Sequence, residues 1–478
     1  MNNLALETAT IRHLSHEGRG VANLNGKTVF IQNALPNETV SFRYTRRHKN
    51  FDEGYAVEVL ENTSPDRVEP KCPHTAICAG CSLQHLSTEA QLTLKENTLK
   101  EQFKHFAHID ITHLEPAIHA KAYHYRYKAR LSVKDVIKKN KVLIGFHEHN
   151  GRYVADISSC AILPQAVGDK LHLLSKLVSE LSVHSAIPQI EVTISADETA
   201  LIIRHVEPLP LSDIEKIVAF AEHEGFSIYL QPSKQDKKTR QNVKEFCYPR
   251  PGREAIVGDD NILLRQPSVE DDNLLLIKLW PKNSPFLLHY NLPNEDSTLY
   301  FSPTEFTQIN PTVNELMVAQ ALSWLAPNKN DRVLDLFCGI GNFTIPLARH
   351  CFEVIGVEGA EGMVARATDN AVHNHRDNAH FLAADLTQSI TQVELLNCTF
   401  DKILIDPPRS GALEVIERHF KAWQAKTIVY ISCNPATLAR DTGILVNQLG
   451  YKLEKIAILD MFPQTSHVES MALLTRAG

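Results

Sequence analysis

The second half of the chain alternates short apolar runs with segments of helical character. Runs rich in Val, Ile and Leu occur at 332–336, 353–357, 380–382, 402–405 and 427–431. Strands that are buried on both faces read as continuous apolar runs, because helices cover both sides of their sheet. The pattern therefore predicts a doubly wound, mostly parallel α/β sheet within residues 301–478, closed by an antiparallel hairpin from 452–459 and 471–475.

At 478 residues the chain exceeds what one hydrophobic core organises, so two or three domains are expected. Residues 1–62 carry short β-branched runs separated by Gly and Asn, which is typical of a small β-barrel. Residues 63–300 mix strands and helices and predict a central α+β domain. Leucines spaced between Glu and Lys at 88–106 indicate an exposed amphipathic helix, available to pack on the C-terminal domain.

Composition narrows the class of protein. A net charge of -7 argues against a protein that coats nucleic acid without specificity, although local basic patches can still bind phosphates. The sequence has no apolar stretch of membrane-helix length and begins without a cationic leader, so we expect a cytoplasmic protein with no membrane partner. Nine cysteines, an odd number, favour reduced thiols, metal ligands or a nucleophile over disulfides.

Two stretches interleave cations with aromatic residues, as stacking and phosphate contacts on RNA require. Residues 43–51 are either such a surface or a solvated hairpin tip, and residues 121–130 are either such a surface or an edge strand. A third basic stretch, at 234–240, indicates a mobile charged loop whose role the pattern does not assign.

A glycine loop follows the first apolar run and opens a helix. It begins at Asp335 and contains Gly339 and Gly341, but it lacks the third glycine of the dinucleotide fingerprint. An acid at this position repels a pyrophosphate and favours a cationic cofactor over NAD. Glu358 and Asp385, at the ends of the next two strands, can accept hydrogen bonds from ribose hydroxyls and an adenine amino group. S-adenosylmethionine combines these features, whereas the alternative is that these acids are solvated or cap helices.

A thiol at a strand end is the candidate nucleophile. Cys433 directly follows the apolar run at 427–431, and Asp406 opens a second motif, Asp-Pro-Pro-Arg, after the run at 402–405. C5 of uracil is a poor nucleophile, and a thiolate that adds to C6 activates it, after which a base must remove the C5 proton. Glu469 is the candidate base and His467 its rival. The Asp406 motif is similar to that of amino-methyltransferases, but here we expect it to orient the ring or the cofactor.

Three further cysteines lie within ten residues of one another in a loop that contains prolines. Cys72, Cys78 and Cys81 are spaced C-x5-C-x2-C, and Cys160 is the leading distant candidate for a fourth ligand. A clustered triplet with one remote cysteine is a common way to hold an iron–sulfur cluster. Zinc, with His74 in place of Cys160, is the alternative.

The chain resembles the RNA uracil-5-methyltransferase family, and within it the bacterial 23S rRNA enzymes that join a TRAM domain to a [4Fe-4S] centre. Three motifs carry the resemblance: Phe301-Ser302-Pro303 with Gln308-Ile309-Asn310, the stretch from Asp406 to Gly411, and the stretch from Ser432 to Pro435. The resemblance implies an N-terminal OB-like TRAM barrel, a central domain with the cluster and a C-terminal Rossmann-like class I methyltransferase domain.

The same resemblance implies the role of each site residue. Cys433 would be the nucleophile and Glu469 the base; the methyl donor would be bound by Gln308, Phe337, Asn342, Glu358, Asp385 and Asp406, and the cluster by Cys72, Cys78, Cys81 and Cys160. The expected substrate is a uridine of 23S rRNA, because tRNA-specific relatives lack the barrel and the cysteines. Methylation of tRNA, methylation of a base amino group, and a non-enzymatic RNA-binding redox sensor remain alternatives. We expect a monomer without an obligate protein partner.

Overall fold

The computed structural model describes residues 6–149, 151–233, 276–388, 392, 395 and 398–476. The strands, in chain order, are β1 Glu7–Thr10, β2 His13–Leu14, β3 Gly20–Leu24, β4 Lys27–Gln32, β5 Thr39–Arg47, β6 Phe51–Glu61, β7 Lys128–Val136, β8 Lys141–Gly145, β9 Gln189–Ile194, β10 Thr199–His205, β11 Ser227–Pro232, β12 Ile277–Trp280, β13 Leu288–Leu292, β14 Ser297–Phe301, β15 Arg332–Leu336, β16 Glu353–Glu358, β17 Ala379–Ala383, β18 Lys402–Ile405, β19 Thr427–Ser432, β20 Lys452–Leu459 and β21 Glu469–Thr475. The α-helices are α1 Thr88–Gln102, α2 Gln165–Gly168, α3 Leu171–Ser179, α4 Leu211–Glu224, α5 Pro311–Leu325, α6 Thr344–Ala348, α7 Glu361–His373, α8 Leu413–Trp423 and α9 Pro435–Asn447. Across these residues, no helix is both long enough and apolar enough to cross a membrane.

The N-terminal sheet has six strands in the order β1-β5-β6-β4-β3-β2. Alternate residues such as Val29, Ile31 and Phe42 are fully buried and form a small core of their own. Arg67, in the loop after the sheet, donates two hydrogen bonds to the buried carboxylate of Glu38, at 2.6 and 2.7 Å. This ion pair fixes the loop that leads to the clustered cysteines.

The central sheet also has six strands, in the order β12-β11-β10-β9-β7-β8. Its main core lies between this sheet and helices α3 and α4. Strand β7 lies between β9 and β8 in the sheet order, but it pairs with β9 over Lys128–Ser132 and with β8 over Ser132–Val136, so the basic end of β7 has β9 as its paired neighbour. The basic stretch at 234–240 lies outside the described residues.

The C-terminal sheet confirms the five strands and the closing hairpin that the apolar runs predicted. Its order is β17-β16-β15-β18-β19-β21-β20, with the first five strands parallel and β21 antiparallel to β19. Strand residues such as Leu334 and Ile403 are fully buried between two helical layers. Because parallel strands end at one edge, the residues that follow β15, β16, β18 and β19 meet there.

Helix α1 packs on the C-terminal sheet although it precedes the central one. Leu99 of α1, with Phe103 and Ala107 of the π-helical turn that follows it, belongs to the same core as Ile405 and Tyr430. The contact is close, since a Cβ atom at Gly443 would lie 3.1 Å from the Cα of Ala107. The polar face of α1 is thereby placed against the loop between β20 and β21.

Candidate active site

A glycine loop at the end of β15 is held by the acid at the end of β16. Phe337, Gly339 and Gly341 all adopt positive φ angles, of 63°, 57° and 94°. The carboxylate of Glu358 accepts hydrogen bonds from the backbone N–H groups of Gly339 at 3.2 Å, and of the two residues that follow Glu358 at 2.8 and 3.1 Å. Glu358 therefore fixes the loop as well as lying at the edge of the sheet.

Asp335 lies directly beneath this loop and is fully buried. The hydroxyl of Thr344 donates to its Oδ2 at 2.5 Å, while among the described residues its Oδ1 has no hydrogen-bond partner. Burial raises the pKa of Asp335 to about 7. A buried carboxyl oxygen without a partner is costly, and a cationic ligand or an additional donor would satisfy it.

Other residues predicted to bind the cofactor differ in how many side-chain hydrogen bonds they already make within the chain. The side-chain amide of Asn342 is paired with that of Asn314 through two bonds of 3.0 Å, and it also accepts from the hydroxyl of Tyr290 at 2.8 Å. Asp385 is exposed, and hydrogen bonds from the hydroxyl and backbone N–H of Thr387 lower its pKa. Gln308 is half-buried. Asn342 and Asp385 are thus committed to neighbours within the chain.

Lys128 holds the loop that carries Gln308, a role that the sequence did not indicate. Its Nζ donates to the backbone carbonyl of Pro303 at 3.1 Å and to that of Glu305. Burial lowers the pKa of Lys128 to about 8. The basic stretch at 121–130 suggested RNA contact, but this lysine is occupied by carbonyls 175 and 177 residues away, and no local pattern announces such a contact.

Cys433 lies between β19 and α9, at the same edge of the sheet. Asn434 caps α9 by accepting a hydrogen bond from the N–H of Ala436 at 3.1 Å, so the thiol sits immediately before a helix start. Cys433 is half-buried. Burial raises its pKa, the neighbouring carboxyls of Glu469 and Asp406 raise it further, and Arg409 opposes them. The thiol and both carboxyls therefore share one electrostatic environment.

Glu469 is the first residue of β21 and is only 4% exposed. Burial raises its pKa to about 8, with a further contribution from Asp406 that Arg409 partly offsets. A carboxyl with a pKa near neutrality is suited to proton transfer at physiological pH. His467, the rival base, is exposed, and its Nδ1 lies 3.4 Å from Nη2 of Arg409. The structure thus favours Glu469.

A buried carboxylate holds the Asp406 motif against the helix after Cys433. Oδ2 of Asp441 accepts hydrogen bonds from the N–H of Ala412 at 2.8 Å and from the hydroxyl of Tyr430 at 2.6 Å. Gly411 has φ 82°, and a Cβ there would lie 2.6 Å from the same oxygen. Only glycine fits this turn, so the end of the motif is fixed relative to Cys433.

The four cysteines predicted as metal ligands line one small cavity. Cys72, Cys78, Cys81 and Cys160 enclose about 20 Å³, together with Phe146 and Ile157. Burial raises the pKa of Cys81 to about 12 and that of Cys160 to about 11. The Nε2 of His74 accepts from the N–H of Ser158 at 3.2 Å. Among the described residues, no three His, Cys, Asp or Glu side chains are arranged to hold a single metal ion.

Comparisons with known proteins relate this chain to RNA methyltransferases that act on uracil. A family model described as tRNA (Uracil-5-)-methyltransferase matches residues 288–477. The 23S rRNA (uracil(1939)-C(5))-methyltransferase RlmD of Hahella chejuensis is 43% identical over 98% of this chain and 97% of its own length. The chain belongs to the RNA uracil-5-methyltransferase family. The corresponding protein of Nitrosococcus oceani is 45% identical over 98% of this chain and 95% of its own.

A solved structure of an RNA uracil-5-methyltransferase shows that the fold extends over the whole chain. The tRNA (uracil-54, C5)-methyltransferase of Pyrococcus abyssi, in complex with S-adenosyl-L-homocysteine, superposes with a TM-score of 0.68 at 23% identity. The match covers 98% of this chain and 100% of that one. The shared fold therefore includes the N-terminal and central sheets as well as the C-terminal sheet.

Proposed function

We propose that this chain transfers a methyl group from S-adenosyl-L-methionine to C5 of one uridine in 23S rRNA, through a covalent bond between Cys433 and C6 of the base. The observation that carries the proposal is the placement of a half-buried thiol beside a buried carboxyl, Glu469, at the edge where the strand-end acids lie. Full-length relatives named as 23S rRNA (uracil-C5)-methyltransferases support the choice of base and of RNA.

Each catalytic side chain has one chemical task. When bound, S-adenosyl-L-methionine supplies an electrophilic methyl group. The thiolate of Cys433 adds to C6, which places the displaced electron pair on the ring and makes C5 nucleophilic enough to take the methyl group. The carboxylate of Glu469 then removes the C5 proton. As the C5–C6 double bond reforms, the C6–S bond breaks and its electron pair returns to sulfur.

The methyl donor fits the residues at the edge of the C-terminal sheet. Glu358 would accept from ribose hydroxyls, Asp385 from the adenine amino group, and the unpartnered oxygen of Asp335 would lie under a positively charged ligand. Gln308, Phe337, Asn342 and Asp406 complete the site we propose. A side-chain contact from Asn342 requires its amide to exchange a partner such as Asn314.

The four thiols around the cavity are a donor set that matches an iron–sulfur cluster. Four thiols with an apolar lining are the donor set that such clusters use, and iron in a [4Fe-4S] cluster bound by Cys72, Cys78, Cys81 and Cys160 would stabilise the thiolate forms that burial alone disfavours. All four candidate ligands are thiols, so none is reserved for substrate. We propose that the cluster is structural and orders the loop that contains it.

The same proposal divides the chain into three parts: a TRAM-like RNA-binding barrel at 1–62, a central domain at 63–300 and the methyltransferase domain at 301–478. On the barrel, Arg43 and Arg47 lie over the rings of Tyr55 and Tyr44, a surface suited to stacking and phosphate contact. The target base must leave its stack to reach Cys433. We propose that the protein acts as a monomer in the cytoplasm.

A tRNA uridine is the second candidate substrate, because the matching family model and the solved structure are both described as tRNA enzymes. Mass mapping of methylated nucleotides in 23S rRNA and tRNA from cells lacking the protein separates the two. We expect one 5-methyluridine to disappear from 23S rRNA and to return with the wild-type chain or Cys398→Ala, but not with Cys433→Ala. Loss from tRNA alone, or loss of a methylated amino group, contradicts the proposal.

A further inference from the structure

The loop before Glu469 contains a residue in an unusual conformation. Gln464 lies five residues before Glu469, is 3% exposed and has a left-handed backbone with φ 66°. A residue other than glycine is strained in the left-handed backbone region. Such a conformation persists only where the surrounding residues hold it. The residues that hold Gln464 therefore help to determine the path of the chain into β21.

Those residues come from α1 and from the loop of the clustered cysteines. The N–H of Gln464 donates to Oε1 of Gln91 at 2.9 Å, and Nε2 of Gln91 donates to Oε1 of Gln464 at 3.1 Å. The carbonyl of Gln464 accepts from the N–H groups of both Ser82 and Leu83 at 3.0 Å. The backbone groups and the side-chain oxygen of Gln464 are thus bound by residues more than 370 positions earlier in the chain.

Neighbouring residues of the loop are held in the same way. Lys95, one turn after Gln91 on α1, forms a buried ion pair of 2.5 Å with Asp460 and donates to the carbonyl of Phe462 at 3.1 Å. The hydroxyl of Tyr125 donates to the carbonyl of Pro463 at 2.9 Å. The segment from 460 to 464 is therefore fastened at several points.

The residue next to the thiol cavity also binds the loop before Glu469. Cys81 lines that cavity, and the next residue, Ser82, contacts the loop twice. Besides its N–H bond to Gln464, its Oγ accepts from the N–H of Ser466 at 3.3 Å, three residues before Glu469. The two cysteine-based sites of the molecule are thereby joined by a short series of hydrogen bonds.

We propose that Gln91 and Ser82 are positioning residues for the proton-removal step: by fixing Gln464 and Ser466 they set the position of the Glu469 carboxylate. This inference rests on the proposed function. If Glu469 is displaced, Cys433 still bonds to C6 and C5 still receives the methyl group. The C5 proton then leaves slowly, so the C6–S bond persists and enzyme remains attached to RNA.

The test is single-turnover and steady-state methylation of an ordinary uridine RNA by Gln91→Leu, with the fraction of protein attached to RNA measured by mass under denaturing conditions. A small misplacement of a catalytic group costs about 10²-fold in rate, so turnover should fall about 10- to 100-fold while the attached fraction rises. Gln102→Leu, at the end of the same helix, is the matched control and should behave as the wild type.

Ser82→Ala is a second variant, and it should fold normally because Ser82 is exposed. We expect a smaller fall in turnover, again with more attached RNA. Wild-type behaviour of both variants overturns the inference, and so does a fall in turnover without a rise in attached RNA, which marks a general structural role. Failure of the proposed function itself is distinguishable, since the wild-type protein would then form no bond between Cys433 and 5-fluorouridine RNA.

Discussion

Two groups of thiols in this molecule share one physical property and differ in their neighbours. Burial raises the pKa of Cys433 and also that of Cys81 and Cys160. Around Cys433 the neighbours are carboxyls and a guanidinium at an open sheet edge, whereas Cys81 and Cys160 face other thiols across a small cavity. A raised pKa alone therefore does not identify a nucleophile. We propose that the nearby proton acceptor distinguishes Cys433 as the nucleophile, and that nearby sulfur donors distinguish Cys81 and Cys160 as ligands.

The largest effect should come from removing the catalytic thiol. Cys433→Ala leaves C5 without activation, so we expect transfer of labelled methyl from S-adenosyl-L-methionine to uridine to fall by about 10⁴-fold or more. Cys398→Ala, which removes another half-buried thiol, should retain wild-type transfer. Transfer by Cys433→Ala within about tenfold of the wild type would mean that no covalent bond is needed.

Replacing the proton acceptor should leave the first bond intact and block its release. For Glu469→Gln we expect turnover to fall about 10²- to 10⁴-fold, with protein accumulating in covalent attachment to ordinary uridine RNA. His467→Gln is the matched variant and should turn over at close to the wild-type rate. Accumulation in the histidine variant instead would reverse the assignment of the base.

The thiol cavity should respond differently to the same kind of change. Cys81→Ser removes one ligand, so we expect the purified protein to lose iron and sulfide, and the amides of 462–466 to exchange faster with deuterium. Cys351→Ser, which alters a buried thiol away from the cavity, should keep its iron. Wild-type iron content in Cys81→Ser would show that Cys81 is not a ligand.

The dependence of rate on pH should be the smallest effect. Glu469 accepts a proton only when it is ionised, and burial raises its pKa to about 8, so the carboxylate fraction is low below that pH and rises through it. The raised pKa of Cys433 acts in the same direction. Because proton removal follows methyl transfer, the ionisation of Glu469 acts on kcat, which we expect to increase about tenfold between pH 7 and pH 9. A rate that is flat or falls over this range would contradict the pKa of the base.

Much of the C-terminal domain could be predicted because its signals are local. Strands such as β15 and β18 are continuous apolar runs, and the acids and thiol that follow them lie at one edge wherever such strands are parallel. The helix cap at Asn310 is equally local: its Oδ1 accepts from the N–H of Val313 at 3.3 Å, directly before the proline that begins α5. Cys160 could be grouped with the three cysteines at 72–81 because all four are thiols and a cluster needs a fourth sulfur ligand.

The contacts that hold the site could not be predicted, because they join polar groups far apart in the chain. The pairing of Gln91 with Gln464 and the bonds of Lys128 to backbone carbonyls have no periodicity and no characteristic spacing. Asn342 shows the opposite difficulty: the family resemblance implies a cofactor contact, while its amide is paired with Asn314. Such partners depend on how whole sheets pack, and a motif gives only the chain position.

The most direct test of the central claim is peptide mapping of the protein after incubation with 5-fluorouridine RNA and S-adenosyl-L-methionine. Fluorine at C5 cannot leave as a proton, so the bond between sulfur and C6 should be trapped. The account predicts a nucleotide, methylated at C5, on the peptide that contains Cys433, with none on peptides containing Cys72, Cys78, Cys81 or Cys160. Attachment at one of those four cysteines, or methylation without any attachment, would contradict it.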